Sequence, residues 1–252
     1  MYNILIALGL SGLTYGVVAV ALHAVAAVIP AVAVFGVAVF VLTRRTGRQV
    51  EEAMKPLQHL LQARKVDEAK ALLRDVKQRF GRWQMLLDGQ LEAQVGMIDY
   101  LQMKFDEALP RLEKGTFQNW TAWLAIGCIH VRRDRLPEAW KAFEKAASAQ
   151  SKEAVIYAIW AQRLVKAGER NEAASVIAKG LEAMPESDFL KGLQKRVANK
   201  KKLDTNQFPQ SYFQFWPEEF ARQYVMRGRK GGPHPGQQAP QPRFGGRAAP
   251  RR

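Results

Sequence analysis

The chain changes its hydrophobic pattern twice. Residues 1–43 contain no Lys, Arg, Asp or Glu, and the run ILIALGLSGLTYGVVAVALHAVAAVIPAVAVFGVAVFVL is apolar or small almost throughout. From Val50 to residue 187, apolar residues instead recur every three or four positions, the period of an amphipathic helix. In VEEAMKPLQHLLQARKVDEAKALLRDVKQRF, Leu57, Leu60, Leu61, Ala69, Leu72, Leu73 and Val76 fall on recurring faces. Beyond residue 203 neither pattern holds. An aromatic cluster (Phe208, Tyr212, Phe213, Phe215, Trp216, Phe220, Tyr224) gives way at Arg227 to mostly Gly, Pro, Gln and Arg. The expected fold class is all-α.

A bilayer core about 30 Å thick needs roughly 20 apolar residues as helix. One straight helix of about 40 residues would span roughly 60 Å, twice what is needed. Two arrangements follow. In one, a helical hairpin runs from Ile4 to Leu22 and from Val25 to Leu42, with its turn near residues 23–30 and therefore including Pro30. In the other, a single span runs from Gly16 to Leu42 and residues 1–15 lie near the interface. A secretory signal fits poorly, because the N-terminal region has no Lys or Arg and cleavage after AVAA would leave a second apolar run. Arg44, Arg45 and Arg48 follow the last apolar residue, so the positive-inside rule puts that flank, and the repeats after it, in the cytoplasm. Gly12 and Gly16 form a GxxxG pair, which is common by chance in membrane helices. His23 falls at the expected hairpin turn, in the headgroup region.

The helical region repeats itself. Superposing residues 119–150 on the residues that follow puts Glu138 and Ala139 on Glu172 and Ala173, Phe143 on Ile177, Ala146 on Gly180 and Gly127 on Ala161, a shift of 34 residues. Glu68-Ala69 and Glu107-Ala108 carry the same pair earlier in the chain, giving alanine steps of 39, 31 and 34. Gly96 precedes Ala108 by the twelve residues that separate Gly127 from Ala139. A 34-residue period with large, small and aromatic residues at set places resembles the tetratricopeptide repeat (TPR) family, over residues 50–187 and about four units. The resemblance implies a solenoid of paired helices that acts as a binding scaffold. It puts Gly96, Gly127 and Ala161 at helix crossings, Leu112, Phe143 and Ile177 between units, and Trp123 and Trp160 in the core. Pro185 ends the last repeat, and residues 188–202 read as a basic capping helix.

Charge changes the picture at one end only. The formal net charge is +15, yet residues 191–202 carry six basic and no acidic residues and residues 222–252 carry eight and none. The basic character therefore belongs to the C-terminal end. Residues 203–226 read as an aromatic segment that either folds onto the repeats or docks elsewhere, with Pro217, Glu218 and Glu219 as the first turn of a short helix. Residues 227–252 cannot bury enough apolar surface to order themselves. Their Arg227, Arg229, Lys230, Arg243, Arg247, Arg251 and Arg252 suit an anionic surface, either lipid or nucleic acid. The single cysteine, Cys128, excludes an intramolecular disulfide. The four histidines have no metal-ligand spacing, and no phosphate-binding loop is present, so no catalytic, cofactor or metal site is expected.

In the TPR family the concave face is lined by first-helix residues turned away from the second helix. Here that implies a groove containing Met97, Tyr100, Leu124, Val131, Arg132, Gln162 and Lys166. It lacks the Lys/Asn set with which chaperone-binding relatives hold a terminal carboxylate. The expected ligand is a peptide that sets apolar side chains on Met97, Tyr100, Leu124 and Val131 and an acidic group near Arg132 and Lys166. The chain's own aromatic segment is the competing occupant. The functional expectation is a membrane-anchored adaptor on the cytoplasmic face, with a looser resemblance to bacterial inner-membrane repeat proteins of envelope assembly. The alternative is a membrane-tethered nucleic-acid- or ribosome-associated protein acting through its tail.

Overall fold

The computed structural model describes residues 2–21, 25–83, 86–203 and 208–219. Among these, every regular element is a helix: α1 (Tyr2–Ala21), α2 (Val28–Gln62), α3 (Val66–Phe80), α4 (Leu87–Leu101), α5 (Phe105–Lys114), α6 (Trp120–Arg132), α7 (Leu136–Ala149), α8 (Ala154–Ala167), α9 (Arg170–Ala183), α10 (Asp188–Ala198) and α11 (Tyr212–Phe215). The chain divides into two compact units after Val95. His23 and the basic residues from Arg227 to Arg252 lie outside the described residues.

In the first unit α1 and α2 pack antiparallel, both long and apolar enough to cross a membrane. Small residues set their approach: Ala7 and Ala31 are buried, and the Ser11 hydroxyl donates to the Ala31 carbonyl at 2.9 Å. At the far end Asn3 Nδ2 donates to Thr46 Oγ1 at 3.1 Å. The glycines Gly9, Gly12, Gly16 and Gly36 face open space, so the GxxxG pair plays no part in this packing. Pro30 does not form the turn. It is the third residue of α2, where its missing N–H costs nothing because the first helical N–H groups have no intrahelical acceptor. The second apolar segment thereby keeps its length.

Nor does α2 stop where the apolar run stops. It continues for 35 residues, about 52 Å at 1.5 Å per residue, through Arg44, Arg45 and Arg48 into the first amphipathic segment. Pro56 sits inside it and leaves the Glu52 carbonyl without its intrahelical donor. α3 folds back on α2, and the loop after α3 returns to the start of α1: Tyr2 N donates to the Arg82 carbonyl at 3.0 Å, and the Tyr2 and Trp83 rings meet edge to face at 5.4 Å.

One turn recurs four times, after α2, α4, α6 and α8. Arg64, Met103, Asp134 and Gly168 each take positive φ (59°, 61°, 57° and 91°). The next residue caps the following helix and donates its N–H to the carbonyl five residues back: Lys65 to Leu60, Lys104 to Asp99, Arg135 to His130 and Glu169 to Leu164, each at 2.9 Å. The left-handed residue lets these bonds satisfy carbonyls that a helix end otherwise orphans. Only the last turn uses glycine. The alanine four residues after each cap (Ala69, Ala108, Ala139, Ala173) is fully buried.

Within the second unit α6 packs on α5 and α7, α8 on α7 and α9, and α10 on α8 and α9. Size matching fixes these contacts. A Cβ on Gly96 would stand 3.0 Å from Arg111 Cβ and Leu112 N, and one on Gly127 would stand 2.3 Å from the Phe143 ring. Gly180 faces Tyr157 in the same way, at 2.8 Å. Leu112, Phe143 and Ile177 are fully buried. Ser187 caps α10 by accepting from Leu190 N at 3.3 Å, and the helix ends at Ala198, short of the basic triplet 200–202. Trp123 departs from the expected core position: it is half-exposed, with the Lys145 ammonium 4.3 Å above its ring.

The crossing at Gly127 gives a direct test. Gly127→Ala forces a methyl into the ring of a side chain that has no exposed edge to move toward, and overpacking of this kind costs about 1–3 kcal/mol. Gly192→Ala, in α10 with nothing within 4 Å of the added Cβ, should instead gain about 0.5–1 kcal/mol. Urea midpoints of the purified full-length chain in detergent, read by circular dichroism, should move in opposite directions for the two variants.

Candidate functional site

α6 and α8 carry the charged residues of the expected groove, and α4 ends beside them. Arg132 and Lys166 occupy the last turns of α6 and α8, and Tyr100 lies near the end of α4, fully buried. Against them lies the chain's own segment 208–219. Ser211 starts the short helix α11, Trp216 ends it, and Pro217 opens the next helical turn over residues 217–219. The segment's backbone bonds are mostly internal, such as Tyr212 N to Pro209 O at 2.9 Å and Glu219 N to Trp216 O at 3.0 Å. It therefore docks by side chains, not by adding a strand.

Arg132 is the centre of the contact. Its Nε and Nη2 donate to the two oxygens of Glu218, each at 3.0 Å, a paired geometry that matches guanidinium to carboxylate. Nη2 also donates to the Phe215 carbonyl at 2.8 Å, and Nη1 donates to Tyr100 Oη at 2.8 Å and the Cys128 carbonyl at 3.2 Å. Tyr100 in turn donates to the Phe215 carbonyl at 2.5 Å. All of the guanidinium's donors are thus engaged. Its carbon lies 3.9 Å from the centre of the Trp216 ring and 4.7 Å from that of Phe105.

Arg163 forms the second half of the seat. Its guanidinium carbon lies 3.3 Å from the centre of the Trp216 ring, so this one indole meets two cations. Nη2 donates to Tyr212 Oη at 2.9 Å and to Glu219 Oε1 at 3.0 Å. Tyr212 donates to Glu219 Oε2 at 2.5 Å, with the Gln162 side-chain oxygen 2.8 Å away, and Lys166 reaches Glu219 from the exposed rim at 3.1 Å. Beyond this, Phe189, Phe208, Tyr212 and Phe213 run edge to face in succession.

The expected groove residues therefore divide. Tyr100, Arg132, Gln162 and Lys166 come together on the segment, and the acidic groups expected near Arg132 and Lys166 are the chain's own Glu218 and Glu219. Leu124 is fully buried within α6, while Met97 and Val131 are half-buried. Arg163 escaped the sequence reading. It follows Gln162 in the apolar helix AVIYAIWAQRLVKA and falls where the preceding repeat has Ile129. A charge at a packing position signals a partner, which here lies more than fifty residues away in sequence.

Burial pushes Tyr100 and Tyr212 well above the usual phenol range, so both remain hydroxyl donors at neutral pH. Burial likewise raises the Cys128 thiol to about 11, leaving it neutral and unreactive. Burial alone would raise Glu219, but the Tyr212 hydroxyl, Arg163 and Lys166 outweigh it and hold the carboxyl below its ordinary 4.5. Among the described residues no group of His, Cys, Asp and Glu is arranged to hold a metal ion. No protein-family model matches the chain, and no curated protein matches its sequence. What the arrangement does chemically is bind an aromatic residue followed by two carboxylates.

A carboxyl lowered on docking stabilises the docked state above its ordinary pKa, and that contribution is lost as pH falls through the lowered value. Residues 208–219 should therefore lose hydrogen-exchange protection on acidification below about pH 4.5, before the α6–α9 helices do. Glu219→Gln should weaken docking at neutral pH and flatten the response. Arg132→Ala should cost the docked segment about 2–5 kcal/mol, since it leaves Glu218 without its guanidinium and takes one of two donors from the Phe215 carbonyl.

Proposed function

We propose that the chain is a membrane-anchored adaptor built on TPR-like repeats, holding a protein partner at the cytoplasmic face of a membrane, with a bacterial inner membrane the best-fitting setting and assembly of a membrane or envelope complex its purpose. The observation that carries this reading is the continuity of α2. One helix begins with residues apolar enough for a bilayer and ends as the first helix of the first repeated turn. The anchor and the first helix of the first repeat are then a single element. The four turns of common geometry, spaced like the alanines of the sequence repeat, support the TPR likeness.

Exposed apolar side chains support the membrane assignment. Leu5, Leu13, Val17, Val20, Ile29, Val32 and Phe40 all stand well exposed on α1 and α2. In water so large a patch is costly, whereas lipid covers it. Arg44, Arg45 and Arg48 support the cytoplasmic orientation, and with two spans the N-terminus shares that side. We assign no catalytic step, cofactor or metal to this function. The basic residues from Arg227 onward would add attraction to anionic lipid or nucleic acid, and nuclease treatment of the purified complex separates adaptor from nucleic-acid protein.

Topology decides the reading. A cysteine at Gln58, exposed on the polar part of α2, should resist an impermeant maleimide in intact cells and react after permeabilisation. A cysteine at Tyr2 should behave the same way. Labelling of Gln58→Cys in intact cells overturns the cytoplasmic adaptor, and labelling of Tyr2→Cys alone selects a single span.

A further inference from the structure

The groove at Arg132 and Arg163 is already full, and its occupant is linear. The contacts that seat it come from Tyr212, the Phe215 carbonyl, Trp216, Glu218 and Glu219, all within the eight positions 212–219, whose backbone bonds are mostly internal apart from the Phe215 carbonyl that Tyr100 and Arg132 hold. Nothing in that geometry requires the segment to belong to this chain. A peptide with the same spacing presents the same groups.

The seat also cannot stand empty without penalty. The Arg163 side chain is only 7% exposed and that of Arg132 only 13%, with Cys128 and Leu124 fully buried nearby on α6. Remove the segment and two guanidiniums lose their carboxylates on a largely apolar floor. A replacement must bring acids at two neighbouring positions and an aromatic ring before them. The resident fit is incomplete as well: among the described residues, Arg163 Nε and Trp216 Nε1 are buried without a hydrogen-bond partner. Buried donors left unmade weaken an interface, so a competing ligand that supplies an acceptor to Arg163 Nε has an advantage at the same seat.

We infer that this groove is a recognition site for partner segments of the form aromatic–Pro–acid–acid, preceded by a second aromatic residue four positions before the first, and that residues 208–219 are its resident competitor. The adaptor captures its partner by exchange: the partner's acidic, aromatic segment takes the place of the chain's own. The resident segment keeps the guanidiniums paired until then and excludes ligands that cannot match two carboxylates and a ring together. The partner is a protein segment, since the site reads a ring, a backbone carbonyl and two carboxylates in a fixed order. This inference rests on the adaptor reading for its purpose, but its chemistry is tested independently of membrane topology.

The probe is a fluorescent synthetic peptide of residues 208–219, and the target is the full-length chain in detergent. Binding by anisotropy should be saturable for a chain carrying Trp216→Ala, Glu218→Gln and Glu219→Gln, whose own segment is disabled. It should be about thirtyfold or more weaker for the unaltered chain, where the segment competes. A peptide with the same three substitutions should bind neither. Hydrogen exchange on the unaltered chain supplies a second measurement that needs no variant: excess native peptide should deprotect residues 208–219, and the substituted peptide should not. The inference is overturned if the native peptide fails to bind the disabled chain while its helical dichroism is unchanged, if it binds both chains equally, or if excess peptide leaves exchange unaltered. Failure of the topology labelling alone overturns the cytoplasmic adaptor and leaves the seat's specificity standing.

Discussion

A buried guanidinium tolerates few arrangements. Arg132 must find acceptors for all its donors within reach of one planar group, and it finds them on α4, on its own helix and on a segment more than eighty residues later. Each acceptor constrains something else. Tyr100 is held where it can also cap the Phe215 carbonyl, Glu218 is held in register with Trp216, and the ring then meets Arg163. The bidentate geometry matters more than the charge. A lysine at position 132 would deliver a point charge without the fork, and could not meet both carboxylate oxygens in parallel while also reaching Tyr100 and the Phe215 carbonyl.

That seat depends in turn on close helix approach. Helices separated by a bulky residue at Gly127 or Gly96 would present Arg132 and Tyr100 at altered spacing, and the hydrogen bonds between them have little tolerance. The repeated turn contributes the other constraint. Because the capping residue donates to the same carbonyl position in all four turns, each second helix leaves its first in the same way. Non-glycine residues take positive φ in three of those turns, a small local strain accepted for a defined exit.

Much of this was legible in the residues. The apolar run announces helices long and apolar enough to cross a membrane, the alanine steps match the spacing of the four turns, and Arg132 with Lys166 asks for an acid. What was not legible depends on distance or on context. Pro30 reads as a turn residue by composition, but the first helical turn hides its defect. Arg163 reads as an ordinary polar helix residue until Glu219 and Tyr212 are brought to it. Trp123 sits at a position that resemblance assigns to the core, yet Lys145 covers its ring where a neighbouring side chain would otherwise pack. For Arg163 and Trp123 the local signal is correct for the segment alone and is overruled by a side chain from another element, whereas Pro30 is accommodated by the first turn of its own helix.

The unbroken α2 has a mechanical side. A helix is stiff over the length of α2, so in the proposed setting its lipid-embedded half and its scaffold half tilt as one lever. A few degrees of rotation, imposed by a thicker or thinner bilayer, would swing the tip at Gln62 by a few ångströms and carry α3 with it. Pro56 is the point where the lever yields first, because the ladder there lacks a rung. In that setting the thickness of the bilayer would set the tilt of the first helical pair, with no ligand involved.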